Sequence, residues 1–209
     1  MNPYLAATVA MCVIVVLALA GTAYLAAHFN RRAKADLATR LQPLAEAIGG
    51  EADVDEARVS GRYGGQLVFG RVASAPGGFG RLFHVEVVDA AGGEGWEWSS
   101  LPAKGAPAPI RTFEGNPELE RRLGVDWTEL AAVVPEATRQ RFGFLYDPAA
   151  GMVRLSRAMR TRLDIPDPAT FLRQLDALMR LGDANRRAQG APAASGAARR
   201  ARPAATEGA

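Results

Sequence analysis

Few residues in this sequence could hold a metal ion or attack a substrate, and they lie far apart. The two histidines are His28 and His84, and the one cysteine, Cys12, lies inside a long apolar run. A zinc or iron site needs several His, Cys or carboxylate ligands in one place, and a catalytic cysteine needs a polar, partly exposed setting. The sequence therefore predicts no metal ion, no other cofactor and no catalytic cysteine. His84 is expected to be a surface or half-buried side chain on a strand.

Three further patterns resemble known sites but do not complete them. The acidic stretch 51–56 lacks the glycine and the terminal glutamate of an EF-hand calcium loop, which favours a solvated loop. The glycine clusters 77–80 and 92–95 lack the Lys-Ser/Thr of a phosphate-binding loop and open no helix, so they are predicted to be turns. No serine has the context of an activated nucleophile. The absence of a catalytic motif favours a non-enzymatic role.

Arginine is the one functional residue type that is concentrated. Residues 139–162 contain six arginines and only one acidic residue, Asp147, and five more arginines follow position 183. The first group is either a solvated hairpin face that pairs with the acidic stretch 51–56, or a docking surface for anionic lipid or an acidic partner. The second group either makes weak, salt-sensitive contact with an anionic leaflet or belongs to an inert tail. The candidate contacts with an anionic surface are Arg139, Arg141, Arg154, Arg157, Arg160, Arg162, Arg186, Arg187, Arg199, Arg200 and Arg202.

The net charge of +3 is unevenly distributed along the chain. Residues 36–182 carry 17 basic and 20 acidic side chains, so the basic excess belongs to the two flanks. A nucleic acid is therefore not an expected partner. The expected partners are the lipid bilayer and a protein that the sequence does not identify. The scarcity of lysine beside abundant arginine, alanine and glycine is typical of high-GC bacterial coding.

The N-terminal segment predicts a transmembrane helix. No charged side chain occurs in residues 1–30, and the run from Leu5 to Ala27 is almost wholly apolar. At about 1.5 Å per residue this run spans roughly 35 Å, enough for a hydrocarbon core of about 30 Å. The alternative is a signal peptide cleaved after Ala20. However, no Lys or Arg precedes the run, and it continues past that site, so a retained single-pass anchor is favoured.

The charges that follow this segment predict its orientation. Arg31, Arg32, Lys34 and Arg40 come directly after the apolar run, whereas no Lys or Arg precedes it. Cytoplasmic flanks of membrane helices are enriched in Lys and Arg. We therefore expect a cell-membrane protein with its N-terminus outside and its domain in the cytoplasm.

Residues 36–182 show the periodicities of a mixed domain. Apolar positions predict a first helix over 36–49, with Pro43 kinking it or delaying its start. Asn116-Pro117 and Asp126 begin two short helices. Asp167-Pro168 begins a last amphipathic helix, which is expected to end at Gly182.

Between these helices the pattern alternates as in strands. An antiparallel meander of about four strands is predicted over 59–63, 66–69, 83–87 and 96–98, with a tight turn at Gly64-Gly65. Phe83, Val85 and Val87 should face the core. Residues 141–157 read as a second hairpin, and whether the two β segments share a sheet stays open. Trp96 and Trp98 share one strand face, where packing is favoured over an exposed binding pair.

The sequence thus predicts an α+β protein: a single N-terminal transmembrane helix, then a small domain with an antiparallel β-meander, a second β-hairpin and a C-terminal amphipathic helix. The predicted boundaries are 1–30 for the anchor, 36–182 for the domain and 183–209 for a disordered basic tail rich in Ala, Pro and Arg. The predicted function is a non-enzymatic, membrane-anchored interaction module. The alternative is a small membrane-tethered enzyme whose acids are scattered over the fold.

Overall fold

A computed structural model of the chain describes residues 3–75, 77, 80–89, 91–103, 108–135, 141–161 and 164–190. These residues form helices and strands in the order α1 Pro3–Ala47, β1 Glu51–Asp53, β2 Arg58–Tyr63, β3 Gln66–Ser74, β4 Arg81–Val88, β5 Trp96–Leu101, β6 Ile110–Glu114, α2 Pro117–Leu123, α3 Trp127–Ala131, β7 Phe142–Asp147, β8 Met152–Met159 and α4 Pro168–Gln189. The predicted α+β class is confirmed. The chain divides into two compact units, Met1–Arg40 and Leu41–Ala209.

The first unit consists of most of helix α1. The most apolar stretch of this helix has a mean hydropathy of 2.4, and none of it is buried. The helix is therefore long and apolar enough to cross a membrane, a test that an N-terminal signal sequence also passes. The hydroxyl groups of Thr8 and Thr22 donate to the carbonyl oxygens of Tyr4 and Leu19, each over 2.9 Å. These polar groups are thus satisfied within the helix, as a lipid environment requires.

The end of α1 belongs to the second unit, where Leu41, Leu44 and Ile48 are buried. Pro43 lies inside the helix, which continues through it to Ala47. The predicted late start at Pro43 is therefore wrong. Burial of the surrounding apolar side chains stabilises the turn that a proline weakens by removing one hydrogen bond.

The strands of the second unit form one antiparallel sheet in the order β1-β2-β3-β4-β8-β7-β5-β6. The two β segments of the sequence therefore share a sheet. Gly64 and Gly65 turn the chain between β2 and β3 with φ angles of 57° and 85°, as the predicted tight turn requires. Part of the acidic stretch, expected to be a loop, forms the edge strand β1, and Asp53 then accepts hydrogen bonds from the next turn.

The predicted meander is wrong in its last strand. β5 was expected to follow β4 in the sheet, but β4 pairs with β8, and β5 lies between β7 and β6. The fourth strand of the meander is β1 instead. In the β4–β8 ladder Val85 lies opposite Leu155, and Val87 lies opposite Val153. This pairing brings two apolar strands together at the centre of the sheet. It is selected by packing between distant segments, which local turn signals do not predict.

The core lies between one face of the sheet and the helices. Phe83, Val85 and Val87 are buried on that face, and Phe171 of α4 meets Phe83 edge to face, with ring centroids 6.5 Å apart. Leu175 and Leu178 of α4 are also buried, in agreement with the amphipathic helix that the sequence predicts here. The two strand tryptophans are buried too, so the packing interpretation is confirmed: Trp127 of α3 stacks on Trp98 at 5.1 Å and meets Trp96 edge to face at 5.9 Å.

Helix α4 extends beyond its predicted end at Gly182 and closes at Gly190. Gly182 is not a stop signal but a point of close approach, since a Cβ atom placed there would lie 2.9 Å from the carboxylate of Asp89. Asp89 in turn accepts a hydrogen bond from Arg186, one turn further along the helix. Residues 183–190, assigned to the tail, therefore belong to the helix. Residues 191–209 lie outside the described part of the chain.

Candidate functional site

The structure divides the arginines of region 139–162 between two faces of the sheet. Arg154 and Arg157 lie on the same strand, three positions apart, so their side chains point to opposite faces. Arg154 is half-buried, whereas Arg157 is only 6% exposed and lies on the helix-covered face. Arg141 and Arg160 are exposed just outside the strands, while Arg139 and Arg162 lie outside the described residues. The described members do not form one continuous basic surface.

The C-terminal arginines are also separated. Arg186 is 9% exposed and donates hydrogen bonds to Asp89 and Asp183. Burial raises the pKa of Asp89 above its ordinary value, and the bond from Arg186 opposes that rise. The Asp89–Arg186 hydrogen bond joins α4 to the residue that follows β4, so the guanidinium of Arg186 is bound within the domain. Arg187 is exposed on α4. Arg199, Arg200 and Arg202 lie outside the described residues.

The face of the sheet opposite the core, called the open face below, carries a cluster of ionisable residues on its central strands. Glu86 on β4 is only 3% exposed. One of its carboxylate oxygens, Oε1, accepts hydrogen bonds from Arg71 on β3, at 2.9 and 3.2 Å, and from Arg154 on β8, at 2.6 Å. Arg154 thus pairs with Glu86 and not with the acidic stretch 51–56. Within that stretch, Glu56 forms a salt bridge with Arg58 at 3.1 Å. One buried carboxylate thus joins three neighbouring strands.

His84 adjoins this cluster and is buried rather than half-exposed, with 7% of its surface accessible. This corrects the expectation of a surface or half-buried side chain. Its Nδ1 atom lies 2.8 Å from the hydroxyl oxygen of Ser156 on β8. Burial and the positive charge of Arg154 lower the pKa of His84 to about 4, although Glu86 acts in the opposite direction. The imidazole is therefore neutral at physiological pH.

A serine bonded to a neutral histidine has the first two parts of a hydrolase triad. A triad also needs a carboxylate that orients the histidine through its second nitrogen. Glu86 is the nearby acid on the same strand face, but its Oε1 atom accepts hydrogen bonds from Arg71 and Arg154. The bonded oxygen, Oε1, is therefore held by the two arginines, and among the described residues no carboxylate is hydrogen-bonded to the second nitrogen of the imidazole.

A second polar region lies on the helix-covered side. A cavity of about 380 Å³ is lined by residues from the end of β8, the loop before α4 and the first turn of α4, among them Arg157, Asp164 and Thr170. In the described part of the chain, no group of three or more His, Cys, Asp or Glu side chains is arranged to hold a metal ion.

Comparison of this chain with protein families, with curated proteins and with solved structures finds no match. The geometry of the described residues is therefore the ground on which a function can be argued.

Sequence reasoning did not single out Arg71, Glu86 or Ser156. The alternation along β4 placed His84 and Glu86 on one face, which was the available signal. Arg71 and Ser156 lie on the neighbouring strands β3 and β8, and the pairing of β4 with β8 cannot be predicted from any local sequence pattern.

Proposed function

We propose that this protein is a non-enzymatic interaction module, anchored in the cell membrane by its N-terminal helix, which binds a protein partner through the open face of its sheet. The observation that carries this proposal is an apolar row on that face. Val88 and Met152 lie opposite each other on β4 and β8. Leu67 on β3 comes directly before Val68, the partner of Val87, and by strand alternation it faces the same side as Val88. Leu67 is 40% exposed and the other two are partly exposed. The solvated face of an antiparallel sheet is ordinarily polar, so these side chains favour a covering partner.

The residues around this row supply specificity. Phe69 and Leu145 extend the apolar surface and are partly exposed. They flank the strand positions of Glu86 and Arg154, which lie between them in the register. A partner that covers this surface would bury the apolar side chains. It would also need polar groups that match the fixed positions of the charges.

The membrane anchor and its orientation complete the proposal. The apolar stretch of α1, none of which is buried, and its internally bonded threonines support a membrane helix rather than the core helix of a soluble protein. Arg31, Arg32 and Lys34 follow it directly, which favours a cytoplasmic domain. Protease added to spheroplasts should then leave residues 36–209 intact, and the N-terminus should be uncleaved. Digestion of that segment, or a mature N-terminus at Gly21, would contradict this topology.

Site-specific photo-cross-linking in native membranes tests the interaction surface. A benzophenone amino acid is placed in the full chain at Leu67 or at Met152, and at two control positions on helices, Arg122 or Arg187, which are exposed. The proposal predicts one discrete cross-linked protein from the open-face positions and none from the controls. Equal cross-linking from all four positions, or none from the open face, would refute it.

A small membrane-tethered enzyme remains the second candidate, and the Ser156–His84 hydrogen bond is the observation that favours it. A fluorophosphonate probe that reacts with activated serines distinguishes the two proposals. The interaction module predicts no labelling of the full chain. Labelling that disappears in Ser156→Ala and in His84→Gln, while both variants keep their melting temperature, would favour the enzyme.

A further inference from the structure

The open face repeats its chemistry on either side of the line between β4 and β8. One row of register partners crosses the four central strands β3, β4, β8 and β7, in the order Phe69, Glu86, Arg154 and Leu145. The two inner positions carry opposite charges, and the two outer positions carry apolar side chains that are partly exposed. The half of this row on β3 and β4 is therefore the chemical complement of the half on β8 and β7.

A second copy of the chain can use this complement through one twofold axis. An axis that runs between β4 and β8, parallel to the strands, places two open faces against each other and exchanges β4 with β8 and β3 with β7. Leu145 then lies over Phe69 of the second copy, and Arg154 lies over the strand position of Glu86 of the second copy. Apolar side chains meet apolar ones and like charges do not meet, as an isologous interface requires.

The rows on either side of this one fit the same rotation. On one side Val88 and Met152 are register partners and partly exposed, so the rotation places each of them over the other in the second copy. On the other side the rotation places Arg71 over Gly143, which has no side chain to obstruct it.

The match is confined to the centre of the face. Packed sheets cross at about 30°, so facing positions separate with distance from the axis, and the four central strands carry the interface. At its margin Leu67 would lie over Asp147, whose carboxylate already accepts hydrogen bonds from two backbone N–H groups of its own turn.

The charges disfavour the other twofold arrangement of two such faces. An axis perpendicular to the strands, along the same row, would place each strand over its own copy. Arg154 would then lie over Arg154, and the partly exposed Glu97 on β5 would lie over Glu97. Like charges that face each other are unfavourable. We propose that the protein that binds the open face is a second copy of this chain, related by the axis parallel to β4 and β8. This inference rests on the proposed function and names its partner.

Thiol cross-linking of the full chain in native membranes tests this geometry. Cys12 is the one cysteine of the chain, so Cys12→Ser gives a background without thiols. In that background, Phe69→Cys on one tagged copy and Leu145→Cys on a differently tagged copy are co-expressed. The membranes are treated with a bifunctional methanethiosulfonate whose two reactive ends are joined by one methylene group. The proposal predicts a cross-linked dimer that carries both tags. Either variant alone should give at least tenfold less dimer, because the rotation sets a position on β3 and its own copy three strand spacings, about 14 Å, apart.

A variant that opposes the interface gives a second measurement. Phe69→Glu places a charge against Leu145 of the second copy and should weaken self-association of the full chain in detergent at least tenfold by sedimentation equilibrium. The guanidinium of Arg58 lies 5.9 Å from the centre of the Phe69 ring, so the new carboxylate has a partner within its own chain and the fold is retained. Arg122→Glu reverses a charge on an exposed part of α2 and should leave self-association unchanged.

The second copy is overturned as the partner if the dimer with both tags does not form, or if either cysteine variant alone cross-links as well as the mixture. Equal self-association of Phe69→Glu and Arg122→Glu would overturn it too. The benzophenone at Met152 separates this result from the proposed function. Cross-linking to a different protein would keep the interaction module and exclude the second copy, whereas no intermolecular cross-link from the open face would overturn both.

Discussion

The imidazole of His84 and the hydroxyl of Ser156 lie 2.8 Å apart across the β4–β8 ladder, although the residues are separated by 72 positions in the sequence. Their strands are the fourth and fifth of eight, so neighbouring strands flank the pair on both sides. Burial at this central position, together with the charge of Arg154, is what lowers the pKa of His84 to about 4. A polar pair at the centre of the sheet therefore makes the stability of the fold sensitive to pH.

We predict that the protein loses stability as the pH falls from about 6.5 to 4. An unfolded histidine has a pKa of about 6.5, whereas that of folded His84 is about 4, so in this window the unfolded state binds a proton that the folded state does not. The free energy of unfolding should fall by about 3 kcal/mol at most over this pH range. Urea unfolding of the full chain in detergent, repeated at several pH values, measures it. The His84→Gln variant should lose less stability over the same window, and an identical loss would contradict the assignment.

Glu86 is predicted to stabilise the three central strands through its two arginine partners. Glu86→Gln leaves Arg71 and Arg154 side by side without a compensating charge, and should lower the free energy of unfolding by roughly 1–3 kcal/mol, since Arg71 remains partly exposed to solvent. Glu97→Gln on β5 removes a partly exposed carboxylate from the same face and is the matched control. Equal melting temperatures for the two variants would show that the cluster contributes nothing to stability.

Val85 tests the assignment of the two faces of the sheet. It is fully buried, so Val85→Asp places an unpaired charge in the core and should destabilise the second unit by several kcal/mol. Val88 on the same strand points to the open face and is partly exposed. Val88→Asp should therefore cost far less. Thermal melts of both variants decide the matter, and comparable losses would mean that the faces are wrongly assigned.

Gly182 gives a prediction whose sign is informative. Replacing a glycine by alanine inside a helix normally stabilises it by up to about 1 kcal/mol. Here the new Cβ would lie 2.9 Å from the carboxylate of Asp89 and displace it from Arg186. Gly182→Ala should therefore lower the free energy of unfolding, by about 1–3 kcal/mol. Denaturant unfolding measures this change, and an increase in stability would disprove the close approach.

The sequence by itself determined the features that depend on neighbouring residues. The apolar run of α1, the turn at Gly64-Gly65, the cap formed by Asp167 with Pro168 and the inward alternation of Val85 with its neighbours all follow from rules that operate over a few positions. Each of these features recurs in the structure. The anchoring role and cytoplasmic location inferred from them stay predictions.

The tertiary structure decided which distant segments meet. The pairing of β4 with β8 brings Ser156 to His84 and Arg154 to Glu86, and no local signal specifies it, because strand pairing is selected by the packing of the whole sheet. Gly182 is a second case in which the local sequence does not determine the structure. A glycine after an apolar stripe is compatible with a helix end and with a close contact in mid-helix, and the sequence around it is alike in both cases. Only the position of Asp89, brought there by the fold, distinguishes the two.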